Sequence, residues 1–140
     1  EGARVFHGGN QSIPNSTNTF VTFDGEQWDD NDLHDTVTNN SRITVKVPGR
    51  YLITANIYFT GNATGARQLK FKVNGSAQIG AINEAPGNAT DFLVAHAVIW
   101  ELAVDDYVEV EVLQNSGGAL NIVNFGDNTN EFAVQMLRGN

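Results

Sequence analysis

The chain has no cysteine, which excludes disulfides, thiolate nucleophiles and cysteine-ligated zinc or iron–sulfur sites. Positive charge is scarce. Eight Lys and Arg face sixteen Asp and Glu, a formal charge of -8. Affinity for a phosphate backbone comes from cations that displace its counterions, so nucleic acid is not an expected partner. No uninterrupted apolar run approaches the ~20 residues of a spanning helix, so membrane insertion is not expected either. The first residues, EGARVFHGGNQ, lack the charged and apolar regions of a signal peptide, and the chain starts without Met. The missing Met suggests trimming from a larger parent or a processed precursor. Helical patterning is missing as well: no window of a dozen residues keeps apolar positions at i, i+3, i+4 and i+7 without Gly or Asn intruding. What is present, 140 residues at 41% hydrophobic, suits one domain with its own core, residues 1–140.

Period-two segments take the place of helices. Residues 42–47 (RITVKV), 68–73 (QLKFKV) and 107–112 (YVEVEV) alternate cleanly between apolar and polar side chains. That is the pattern of half-exposed antiparallel strands. Residues 51–59 (YLITANIYF) and 92–100 (FLVAHAVIW) are apolar on both faces, and 132–137 (FAVQML) and 18–23 (NTFVTF) are shorter versions. A two-sided strand needs cover twice, once from the domain core and once from elsewhere. Without helices to supply it, the expectation is two packed sheets, one facing solvent and one facing other subunits.

Turn chemistry spaces these segments. Pro48–Gly49, Asn74–Gly75 and residues 104–106 read as tight turns, whereas 24–41, 60–67, 83–91 and 114–119 read as longer Gly/Asn/Thr/Asp loops. Every second connection of an antiparallel sandwich lies at the same end, so short turns should gather at one end and long loops at the other. Binding residues concentrate on such loops. The candidate ligand contacts are Asn62, Thr64, Arg67, Asn88, Thr90, Asn115 and Ser116, with Trp28 available to stack on a sugar ring. Six N-x-S/T sequons begin at Asn10, Asn15, Asn39, Asn62, Asn74 and Asn88, and they matter only in a cell with an N-glycosylation pathway.

Catalytic signatures are sought and not found. There is no G-x-S-x-G or H-E-x-x-H, and His7, His34 and His96 stand far apart in the sequence. His96, in the middle of a two-sided strand, is expected to be a hydrogen-bonded core or subunit-contact residue. The acidic stretch 24–35 is the one candidate metal loop. Asp29, Asp30, Asp32 and Asp35 could offer oxygens to calcium, although the spacing is not an EF-hand. The bland alternative is a solvated loop whose acids make turns and caps.

The order of the segments resembles the C1q/TNF-like family, particularly its bacterial and phage-borne branch. The resemblance is carried by residues 19–35, 41–57, 63–75, 100–112 and 117–137. It includes the Pro-Gly-x-Tyr step at Pro48–Tyr51, the Asn-Gly turn at 74–75 and the L-x-x-x-D-x-V-x-V pattern from Leu102 to Val110. A departure is Asp105, where the family usually has Gly. The resemblance implies a two-sheet jelly-roll sandwich of about ten strands that forms a homotrimer, often at the end of a stalk. It puts 51–59, 92–100 and 132–137 in the inner sheet, with Tyr51, Ile57, Phe59, His96, Val98, Phe132 and Val134 at the trimer interface. It also sets 68–73 beside 107–112, so that Lys70 and Lys72 face Glu109 and Glu111. Calcium near a trimer apex occurs in some relatives.

Three roles are compatible with these features. The first is a non-enzymatic trimeric recognition head, binding a glycan or cell-surface protein through its long loops. The second is a structural trimerisation or decoration domain of a virion, spore or surface fibre. The third, a signalling ligand of the tumour-necrosis-factor sort, rests on fold analogy alone. All three imply a location outside the cell, on a cell or virion surface.

Overall fold

The computed structural model describes residues 1–126 and 128–140, and its described residues form strands without a helix. In chain order the strands are β1 (Gly2–His7), β2 (Gln11–Ile13), β3 (Thr19–Phe20), β4 (Gly25–Asp30), β5 (Arg42–Thr44) and β6 (Gly49–Phe59). They continue as β7 (Arg67–Val73), β8 (Ala77–Glu84), β9 (Phe92–Leu102), β10 (Tyr107–Gln114), β11 (Leu120–Ile122) and β12 (Asn130–Gly139). Seven strands make one sheet, in the order β2-β11-β6-β12-β1-β4 with β9 also paired to β6. Five make the other, β3-β10-β7-β8 with β5 also on β10. The expectation of about ten strands becomes twelve.

The two classes of sequence pattern separate, except that the two-sided segment 18–23 contributes β3 to the five-stranded sheet. The two-sided segments β6, β9 and β12 are all in the seven-stranded sheet, and the clean alternators β5, β7 and β10 are all in the other. Along β6, residues Tyr51, Ile53, Ala55, Ile57 and Phe59 are buried between the sheets, while Arg50, Leu52, Thr54, Asn56 and Tyr58 point outward. Successive side chains alternate sides, so the sheet presents two different surfaces. The inward one meets Val108, Val110 and Val112 of β10 and Leu69, Phe71 and Val73 of β7 in one core. Phe132 lies 5.4 Å from Phe23 and 6.4 Å from Phe71, ring centre to ring centre.

This parity corrects the expected interface. Tyr51, Ile57, Phe59, Phe132 and Val134 are at most 1% exposed and belong to the core of a single chain. Tyr51 is held there at its tip, its hydroxyl 2.6 Å from the Val47 carbonyl and 2.7 Å from the Glu1 carboxylate. Burial, then the Glu1 carboxylate, push that phenol well above its ordinary pKa. His96 and Val98 share the inward parity. His96 stacks on Phe71 at 6.0 Å, and no hydrogen bond to its ring is made among the described residues.

Turns behave as their residues predict. Asn74 and Gly75 both adopt positive φ, 53° and 74°, which a two-residue turn matched to strand twist requires. Asp105 takes the left-handed conformation, φ 68°, which Asp adopts more readily than most residues with a side chain. Lys70 sits opposite Glu111 and bonds it at 3.2 Å. Lys72 sits opposite Glu109 but reaches the Ser76 carbonyl at 3.4 Å instead, while Glu109 accepts the Ser41 hydroxyl.

Because Ile57 is fully buried in the shared core, Ile57→Ala should cost ~2–5 kcal/mol of unfolding free energy. Urea denaturation at low protein concentration would read that loss within the single chain, independently of any assembly.

Candidate functional site

The two ends of the sandwich differ. At one end lie the tight turns at 48–49, 74–76 and 103–106, with Glu1 against Met136 and Asn140 against Pro48. At the other lie 60–66, 85–91, 115–119 and 123–126, which follow or precede the far ends of β6, β9, β10 and β12. The stretch 24–41 departs from this scheme. Its residues 25–30 form β4, and Asp30 pairs with Gly2 at the short-turn end.

The long loops are built from side-chain to backbone hydrogen bonds. Asn62 Oδ1 accepts the Thr64 amide at 2.8 Å, and Asn88 Oδ1 accepts the Thr90 amide at 2.9 Å, two Asx turns from identical Asn-Ala-Thr sequences. Asn115 Oδ1 accepts the Ala66 amide at 2.6 Å. Gln114 is buried, donating to Ile13 and Gly118 carbonyls and accepting the Ser116 amide at 2.8 Å. Gly61 permits the closest approach: a side chain there would strike the Ala89 carbonyl, and its amide donates to Asp91 at 2.7 Å. Six of the proposed contacts (Asn62, Thr64, Asn88, Thr90, Asn115 and Ser116) therefore lie at one end.

Arg67 is at the same end but cannot touch a ligand directly. It is fully buried. Its guanidinium donates to the carbonyls of Asn62 (2.8 Å), Thr64 (3.0 Å) and Ala66 (3.0 Å), with the Phe59 ring 5.8 Å away. Nε has no partner, and no carboxylate pairs with the group among the described residues. Burial lowers its pKa. Arg67 thus tethers the loop 62–66 from beneath.

Trp28 does not join this cluster. It sits on β4 opposite Arg4 and helps line an open concavity of about 610 Å³ on the outward face of the seven-stranded sheet. Thr54, Asn56, Ala95, Ala97 and Ala133 form the floor, and Arg4 pairs with Glu131 across it. Toward the short-turn end this face becomes apolar, with Ile99 (59% exposed) and Leu137 (54%), whereas Trp100, opposite Tyr51 in the pairing, has the inward parity. These are the interface candidates that sequence reasoning missed. The signal was available: Arg50 and Asn56 on β6, and Glu131 and Gln135 on β12, mark the outward parity.

In the acidic loop the carboxylates organise the backbone. Asp29 accepts the Leu33 and His34 amides at 2.9 and 3.0 Å. His34 bridges Glu26 at 3.0 Å and the Asn40 carbonyl at 3.1 Å. Asp35 accepts the Val37 and Thr38 amides at 2.8 Å each. Asp29, Asp30, Asp32 and Asp35 do not gather into a metal-ligand group among the described residues. The amides of Thr38 and Val37 hold the Asp35 carboxyl below its ordinary value. Its contribution to the turn is present above the ordinary carboxylate pKa and is lost as pH falls through the lowered one.

No family model and no curated protein matches the chain. Solved structures do. The globular domain of zebrafish complement 1qA protein is 17% identical with a TM-score of 0.66, over 99% of this chain and 98% of that one. Murine APRIL at pH 5.0 is 12% identical with a TM-score of 0.71, over 97% and 98%. At these identities the likeness is one of fold. The fold is the C1q/TNF-like jelly roll.

Replacing Arg67 by Lys should loosen the 62–66 loop, since an ammonium cannot reproduce a planar fork spanning three carbonyls. Amide hydrogen exchange should quicken at residues 62–66, with ~1–3 kcal/mol lost from overall stability. In an NMR titration, Asp35 should protonate below the ordinary aspartate range.

Proposed function

We propose that the chain is the head of a homotrimeric, non-enzymatic recognition protein outside the cell, on a cell or virion surface, that binds a glycan or protein through its long-loop end. The observation that carries this reading is the division of the sandwich. The first and last residues share the short-turn end, so a stalk joined to either would leave the Asn/Thr loops free. The outward face of β6, β9 and β12 supplies the surface for self-association, with Leu52 opposite Ile99 in the pairing and Leu137 exposed beside them. Each apolar side chain covered there contributes roughly 25 cal/mol per Å². Three copies of a weak site on one head raise avidity ~100-fold or more without new contacts.

Light scattering should give a mass near three times 15.2 kDa. Ile99→Asp, on the exposed face, should give a folded monomer with an unchanged far-ultraviolet spectrum. A mass that stays trimeric in that variant would move the interface elsewhere. Replacing residues 86–90 by Gly and Ser should abolish attachment to target cells while the trimer persists; attachment that survived would favour the purely structural role.

A further inference from the structure

An asparagine side chain carries one acceptor oxygen and an NH₂ with two donors. Where the oxygen receives a backbone N–H, the orientation of the amide is chemically decided and the NH₂ is left to face outward. That is the state of Asn62, Asn88 and Asn115, and also of Asn15, whose Oδ1 accepts the Gly117 amide at 2.8 Å. None of these four NH₂ groups donates to another protein group among the described residues. Their loops touch in turn: 86–91 meets Gly61 through the Ala89 carbonyl and Asp91, Ala66 meets Asn115, and Gly117 meets Asn15. The long-loop end therefore presents a row of N–H donors whose matching acceptors are turned inward.

Below this row lies the guanidinium of Arg67, fully buried and without an acid partner among the described residues. Glu84 is opposite it in the strand pairing but makes no ion pair, and Asp91 is turned onto the Gly61 amide. A cation away from water keeps a longer reach than an exposed one, since less solvent screens it. Donors above and an uncompensated cation below favour a group that only accepts and carries negative charge. A sugar hydroxyl both donates and accepts, whereas a carboxylate only accepts.

We infer that the long-loop end takes a carboxylate-bearing glycan, the carboxylate being received by the outward amides of Asn62, Asn88 and Asn115 above Arg67. This rests on the proposed recognition role of that end. Sialic acids and uronic acids are two sources of the same chemistry.

The test is biolayer interferometry of the intact protein on immobilised polysialic acid and polygalacturonate, each also in carboxyl-reduced form. At least one acidic polymer should bind, and its reduced form should bind about tenfold more weakly or less. The double variant Asn62→Asp, Asn88→Asp keeps the acceptor for the Thr64 and Thr90 amides but turns each outward donor into a negative oxygen. Checked for native mass, it should also lose about tenfold or more. Which polymer binds assigns the source. No binding to either acidic polymer, equal binding to acid and reduced forms, or binding unchanged in the double variant would each overturn the inference. Equal binding that is nevertheless lost when 86–90 is replaced would overturn the carboxylate while leaving recognition by that end in place. Binding indifferent to every loop change would overturn both.

Discussion

The pairing of β6 with β9 along one edge and β12 along the other decides which side chains meet between the sheets. Eleven residues of β6 face eleven of β9, from Gly49 opposite Leu102 to Phe59 opposite Phe92. A one-residue slip would send Tyr51, Ile53, Ile57 and Phe59 to the outward face and bring Arg50 and Asn56 into the core. The burial of a polar or charged side chain without partners is costly enough to forbid that alternative. Register therefore creates the two surfaces of this sheet together: the core on one side, and on the other the open face with Ile99 and Leu137.

The far end of the domain depends on a different economy. Past the ends of the strands no ladder is available, and every backbone N–H or carbonyl shielded from water still needs a partner. Asn, Gln and Asp supply them. Asn130, fully buried, accepts the Tyr58 amide at 2.8 Å and donates to the Val123 carbonyl at 2.8 Å. Gln114 serves three backbone groups, and Arg67 serves three carbonyls of one loop. The richness in Asn that reads as solubilising bias in the sequence is structural scaffolding, with its spare donors left at the surface.

Charge is distributed to match. The acidic residues from Asp24 to Asp35 hold their own loop, through Asp29 and Asp35 on backbone amides and the Glu26–His34 contact. On the five-stranded sheet, Lys70 and Glu111 answer each other. Among the described residues two buried charges make no ion pair: Glu109, which accepts the Ser41 hydroxyl, and Arg67, which lies beneath the Asn/Thr loops. The domain is acidic overall, yet its loop end is underlain by a cation.

Much of the architecture was legible in the sequence. Alternation assigned β5, β7 and β10 to one sheet and β6, β9 and β12 to the other, and Asn74–Gly75 marked its turn, because these features depend on residues near one another. The inward parity of β6 was also present, in Arg50 and Asn56, but a segment apolar on both faces hides it behind similar side chains. Trp28 was grouped with the long loops because sequence shows exposure without position, and the pairing of β4 with β1 carried it onto the outward face. Arg67 was read as a contact since an arginine beside a loop is usually solvated. By itself the sequence determined the strands β5, β6, β7, β9, β10 and β12, their partition between the sheets and the turn types, all products of local backbone preference and period-two patterning, whereas β1, β2, β4, β8 and β11 were not read from it. The tertiary structure alone decided which face of each two-sided strand is buried, that Asn oxygens turn inward, and that one guanidinium is sealed under the loops. Those outcomes depend on contacts between segments tens of residues apart, which no local pattern encodes.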